Sequence, residues 1–170
     1  MLRGQNTPAF AGWALFALIT IINVVMNLGF TTKRATVLLL ATDFLTCVGT
    51  SVLIVVRTRG NVSIDKRDKQ IGALSILAIV LWIVFRSSVV GVLLNQIAYS
   101  FAFWPTYRNV RRNPLDEPTW PWLTWTIAFV IDLVALGIDP TSVFLDYVTP
   151  SVCLAWHGFI TVLSLRKLKK

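Results

Sequence analysis

Residues 71–107 read IGALSILAIVLWIVFRSSVVGVLLNQIAYSFAFWPTY, and the fold turns on whether this run is one helix or two. Crossing a bilayer takes about 20 apolar residues, because roughly 30 Å of hydrocarbon is covered at about 1.5 Å per residue. Ile71 to Phe85 is short for that task, and only Arg86-Ser87-Ser88 marks it off from the apolar run Ser87 to Tyr107. Four further apolar stretches flank the pair: Ala9 to Phe30, Ala35 to Val56, Thr119 to Ile138 and Val143 to Leu165. Charge decides between the readings. With two helices the chain makes six spans; the N-terminus, the 57–70 and 108–118 connectors and the C-terminus then share one side, which carries 13 Lys and Arg. The other side holds only Lys33, Arg34 and Arg86. With one helix Arg86 is buried and the split falls to about 6 against 9. Basic residues collect on the cytoplasmic side of membrane proteins, so six spans with both termini cytoplasmic are expected. Trp13, Trp104, Trp120, Trp122 and Trp125 all fall toward that side, as an interfacial belt would.

Bulk composition agrees. Of 170 residues, 55% are apolar and only 14% charged, too little charge to clothe a water-facing surface. The apolar residues come in uninterrupted stretches and not in amphipathic stripes. The net charge of +8 sits in connectors and at the C-terminus, which reads as topology and not as a nucleic-acid surface. Cys47 and Cys153, each inside an apolar stretch, make no disulfide framework or Cys-rich metal site. The first stretch lacks a small-residue cleavage pattern and is read as a retained span, not a signal peptide. Pro118 and Pro121 fit the first turn of the fifth helix, where no backbone donor is lost. The reading is an all-α, polytopic bundle forming a single membrane domain, 1–170, in the plasma membrane of a prokaryote.

A weak duplication runs through the chain. Asp43-Phe44-Leu45-Thr46 in the second stretch matches Asp146-Tyr147-Val148-Thr149 in the sixth. Pro8, a nearby aromatic, Asn23 and Gly29 align in order with Pro118, Trp120, Asp132 and Gly137. Both pairs cross in the same direction, so the repeat is parallel, a common construction in secondary transporters.

The fourth stretch ends Phe103-Trp104-Pro105-Thr106-Tyr107-Arg108, followed by Asn109, Arg111, Arg112, Asn113-Pro114, Asp116-Glu117-Pro118 and a Trp-rich helix start. This resembles the PQ-loop superfamily of SWEET and SemiSWEET sugar transporters, in which a Pro-Gln pair near the cytoplasmic end of a unit's first helix precedes a basic, Asn-containing loop. The resemblance covers 87–170 as a three-helix unit. It implies that 71–85 is a linker helix and that 9–56 holds the last two helices of a first unit lacking its opening helix, for which a partner or an upstream segment would substitute. Arg3 through Pro8 looks like the loop after such a helix. Thr106 replaces the Gln of the family pair, so no role of that Gln carries over.

From the resemblance, Pro105 is expected to act as a hinge during alternating access, the alternative being a proline that ends a helix at the interface; the residue itself cannot donate to the carbonyl of Phe101. Ser88, Gly91, Asn95, Ala98 and Ala102 recur at helical spacing, a small-residue face for close helix packing. A carboxylate at a helix centre costs about 2.5 to 3.5 kcal/mol on insertion scales, which singles out Asp43 and Asp132. Asp43 heads a polar stripe of Thr46, Cys47, Thr50 and Ser51 pointing away from lipid, and Asp146, in the first turn of its helix, is assigned to the helix N-terminus. Asn23 and Asn27 share a face, and Asn95, Gln96, Trp156 and His157 fall nearer the midplane. In the resembling family Trp and Asn grip a sugar, which makes Trp156 a candidate stacking platform; packing is the alternative for Trp156 and His157. His157 could couple to protons, since an imidazole ordinarily titrates near pH 6.5; Asp43 or Asp132 could equally hold a proton or cation.

No motif for a metalloenzyme, nucleotide cradle or serine nucleophile is present, so neither enzymatic activity nor a cofactor is expected. The expected function is transport of a small polar solute, a sugar or metabolite, bound by Asn95, Gln96, Trp156, Asp43, Asp132, Asn23 and His157. The alternatives are a non-transporting membrane scaffold and the substrate-capture subunit of a larger importer. The uncovered surface of an incomplete first unit also makes a homodimer an expected partner arrangement. The basic tail from Arg166 to Lys170 is read as a topology anchor near anionic lipid.

Overall fold

A computed structural model describes residues 10–30, 33–60, 66–85, 87–114 and 118–166. Pro8 and the rest of the segment from Arg3, Arg86, Asp116, Glu117 and the tail beyond Arg166 lie outside the described residues. The described chain is helical, without strands: α1 (Phe10–Phe30), α2 (Arg34–Thr58), α3 (Lys66–Phe85), α4 (Ser88–Ala102), α5 (Trp104–Arg112), α6 (Thr119–Ile138) and α7 (Phe144–Leu165). Three of them, α2, α6 and α7, are long and apolar enough to cross a membrane, and α1 carries a shorter apolar stretch, Gly12–Leu28.

Several of the expected boundaries move. The fourth stretch is not one helix: α4 stops at Ala102 and α5 begins at Trp104, with Phe103 in a turn between them. Pro105 has no N–H for the carbonyl of Phe101, and as the second residue of α5 it sits where a helix tolerates proline. The helix also continues to Arg112, so the basic segment 108–112 is helical and not a loop. The third helix begins at Lys66, five residues before its apolar run. Charged residues are good helix formers, and hydropathy alone misses such an extension. The second helix outlasts Val56 and ends at Thr58 in a Schellman motif. There Arg59 adopts φ 53°, Gly60 φ 78°, and their N–H groups donate to the carbonyls of Val56 (3.2 Å) and Val55 (2.9 Å).

The described residues divide into two compact units, one within 7–102 and one within 103–170. In the 7–102 unit α1 packs on α2, α3 and α4. The α1–α4 pair is antiparallel, since Phe16 meets Tyr99 while Met26 lies beside Gly91. α3 and α4 are separate helices lying side by side, with the Trp82 indole filling the space over Gly91. The small-residue face works as expected: Gly91, Asn95, Ala98 and Ala102 are all buried, and of Ser88 only the backbone is described. A Cβ at Gly91 would overlap Trp82 and come within 3.2 Å of the Met26 methyl. Gly91→Val is therefore expected to destabilise the α3–α4 pair by about 1 to 3 kcal/mol, since overpacking outweighs the few tenths gained from helix propensity. Unfolding in mixed micelles checks this, with Trp82→Leu expected to restore part of the loss; a Gly91→Val protein as stable as the parent refutes the close approach.

In the 103–170 unit α6 and α7 form an antiparallel hairpin, tied at one end by the Thr126 and Thr161 hydroxyls (3.1 Å) and at the other by Tyr147, whose OH donates to the Leu136 carbonyl (2.7 Å). Asp146 caps α7 as expected: its carboxylate accepts from the Val143 N–H at 2.9 Å, satisfying a donor that the helix leaves open. The two aspartates matched by the duplication differ in place along their helices: Asp43 lies deep in α2, whereas Asp146 stands in the first turn of α7.

Outward faces are apolar. Leu38, Leu45, Val52 and Val56 of α2 and Ile127, Ile131, Val134 and Ile138 of α6 are exposed, while Asn23, Asn95, Asp43, Asp132 and His157 are buried. That inverts the usual distribution of a water-soluble domain and suits a hydrocarbon solvent. The tryptophan belt needs a correction. Trp104 and Trp120 are exposed, but Trp122 is buried against Phe103, and Trp125 stacks on Phe129. Positions 122, 125 and 129 share one helical face, and aromatic packing inside the hairpin takes them from the surface.

Candidate functional site

Neutral amides from α1 and α4 meet in the interior of the 7–102 unit. Asn23 Oδ1 accepts from Asn95 Nδ2 and, at 3.0 Å, from Gln96 Nε2, so one oxygen joins two consecutive residues of the facing helix. Asn95 Nδ2 also reaches the Ile19 carbonyl at 3.4 Å. Asn23 and Asn95 are essentially fully buried. Two of their atoms make no hydrogen bond: Asn23 Nδ2, a donor, and Asn95 Oδ1, an acceptor. A buried polar atom left so loses its solvation without return. Asn27, expected to share this face, turns back along α1 and donates to the Asn23 carbonyl at 2.8 Å.

Asp43 enters the same unit from α2. Its carboxylate accepts a long hydrogen bond from the Tyr99 hydroxyl (3.5 Å) and lies 3.8 Å from the Cys47 thiol, one turn on. The polar stripe below it is only partly inward. Thr46 is exposed, and the hydroxyls of Thr46, Thr50 and Ser51 donate to the carbonyls of Thr42, Thr46 and Cys47. Back-bonding to the preceding turn satisfies a hydroxyl without a cavity, which is why polarity alone misplaces such residues.

Trp156, His157 and Asp132 belong to the other unit. His157 is enclosed by rings, with Phe103, Trp122, Phe129 and Trp125 at centroid distances of 5.2, 5.5, 5.3 and 6.2 Å. Its Nδ1 lies 2.8 Å from the Cys153 carbonyl, and since a carbonyl can only accept, Nδ1 carries the proton. Trp156 is half-buried and stacks on Phe103 at 5.4 Å and 10°, so one face of the expected platform is already covered. Asp132 is buried in α6. The candidate residues thus fall into an amide and carboxylate group, Asn23, Asn95, Gln96 and Asp43, and an aromatic group around His157.

Two residues that complete these groups were not singled out from sequence: Tyr99, which bonds Asp43, and Phe103, which packs on Trp156, Trp122 and His157. A signal existed. Asn95, Tyr99 and Phe103 follow at intervals of four, the spacing of one helical face, as Trp122, Trp125 and Phe129 follow at three and four. Among the described residues no group of three His, Cys, Asp or Glu side chains is placed to hold a metal ion. Comparison with protein-family models, with curated proteins and with solved structures finds no match.

Proposed function

We propose that the protein is a six-span membrane transporter for a small polar solute, in the manner of the SWEET and SemiSWEET proteins, with both termini in the cytoplasm. The observation that carries the reading is the Asn23–Asn95–Gln96 cluster, a neutral polar locus inside a unit whose outer faces are apolar. The open Asn23 Nδ2 donor and Asn95 Oδ1 acceptor suit a hydroxyl group, which both accepts and donates. A neutral, hydroxyl-bearing solute such as a sugar is therefore the preferred class. Charge within each unit supports the orientation. In the 103–170 unit every described arginine, namely Arg108, Arg111, Arg112 and Arg166, stands at the end where α6 begins and α7 finishes, and the opposite end has Asp139 and Asp146. In the 7–102 unit Arg57, Arg59, Lys66 and Lys69 cluster where α2 ends and α3 begins. In this reading Pro105, just past the break at Phe103, is the hinge.

Uptake of a panel of labelled sugars, amino acids and vitamins into proteoliposomes tests the proposal. Saturable uptake of a neutral polyhydroxylated solute is expected. Tight binding without uptake identifies a capture subunit instead, and neither binding nor uptake a scaffold.

A further inference from the structure

The helix α5 joins the end of the fourth apolar stretch to the start of the 108–118 connector, and it has its own docking face and its own open face. α5 rests on α7, the Tyr107 ring stacking on Phe159 at 5.6 Å, and its Val110 is fully buried. Arg111 and Arg112 are exposed, Arg108 is half-buried, and Arg111 is held by a hydrogen bond to the Tyr107 hydroxyl at 3.1 Å. Trp104, 49% exposed, opens the helix, and Trp120, 76% exposed, stands at the start of α6. Because α6 and α7 are antiparallel, α5, the start of α6 and Arg166 at the end of α7 belong to one end of this unit. That end presents four arginines and no acidic side chain among the described residues; Asp116 and Glu117 follow in the sequence outside them.

We infer that α5 is an interfacial helix whose arginines bind the phosphates of anionic phospholipid headgroups while Trp104 and Trp120 lie at the level of the glycerol backbone. The inference rests on the membrane reading above. A guanidinium presents paired N–H donors that match a phosphate's oxygens, and an indole favours the boundary between hydrocarbon and water. A short helix with a buried apolar edge, a basic face and flanking tryptophans is the composition that lies in the interface plane. Docking on α7 holds α5 in place before lipid arrives, which lowers the ordering cost of binding.

The test uses the full chain in phosphatidylcholine vesicles containing a minor fraction of phosphatidylglycerol. Tryptophan quenching by brominated phosphatidylglycerol is compared with quenching by brominated phosphatidylcholine. The expected result is preferential quenching by the anionic lipid, falling by up to about fivefold per arginine removed in R111Q and R112Q singly and further in R108Q/R111Q/R112Q. The R57Q/R59Q protein, which loses two charges from the other unit, is expected to keep the preference. Inorganic phosphate is expected to compete no better than sodium chloride at equal ionic strength. No preference in the parent, an undiminished preference in the single and triple variants, an equal loss in R57Q/R59Q, or specific displacement by phosphate each overturns the inference. A chain that fails to float with vesicles of either composition overturns the membrane reading itself, whereas flotation without headgroup preference overturns only the role of α5.

Discussion

Phe103→Ala is expected to destabilise the 103–170 unit by about 3 to 5 kcal/mol, the largest stability loss of any single truncation considered. The residue is fully buried and touches Trp122, Trp156 and His157, so its removal opens a ring-sized void between residues of α6 and α7. In lipid the hydrophobic term is weaker, because hydrocarbon outside is as apolar as the interior. Lost dispersion contacts then set the cost. Aromatic geometry adds about 0.5 to 1.5 kcal/mol per pair in double-mutant cycles, and three such neighbours are lost together. Equilibrium unfolding in mixed micelles measures the change. Phe103→Leu is expected to lose less than half as much, because most of the volume remains. If the alanine variant unfolds within about 1 kcal/mol of the parent, the ring cluster is not what holds this unit together.

Under the proposed transport function, Asn23→Leu is expected to reduce saturable uptake by about tenfold or more, with only about 1 kcal/mol of lost stability. The two magnitudes differ for a physical reason. Asn23 Oδ1 is the shared acceptor for Asn95 Nδ2 and Gln96 Nε2, and an interhelical hydrogen bond in a bilayer is worth little, since the unfolded helices find other partners. A bound hydroxyl has no such alternative once Asn23 Nδ2 is gone and the remaining amides are misplaced. Asn27→Leu is the control, because Asn27 donates to a main-chain carbonyl of its own helix and is expected to leave uptake near the parental level. Equal rates for the parent and Asn23→Leu, or equal losses in both variants, remove the amide cluster from the transport path. Uptake of the same solute at two or more concentrations separates a binding defect from a loss of folded protein.

Much of the architecture was legible in the order of the residues. Uninterrupted apolar stretches located every long helix, with the start of α6 placed at Thr119 and the end of α7 at Leu165, because hydrocarbon demands that polar groups be absent over a whole span. The Asp146 cap was also legible, since a carboxylate in a first turn has one obvious donor within reach. Helix ends without such a signal were harder. The Arg59–Gly60 termination and the Lys66 start depend on backbone conformation and helix propensity, to which hydropathy is blind.

The sequence by itself determined that the chain is helical, where its apolar helices run, and which polar residues interrupt them. Only the tertiary structure decided which of those residues meet: that Asn23 answers Asn95 and Gln96, that Tyr99 is the partner of Asp43, and that His157 sits inside a ring of aromatics. It also decided that the chain breaks at Phe103 and turns the following basic segment into a separate amphipathic helix. The reason is range. Hydropathy and helix periodicity are properties of neighbours within a few residues, whereas the pairing of Asn23 with Asn95 spans 72 positions and is settled by how the helices pack.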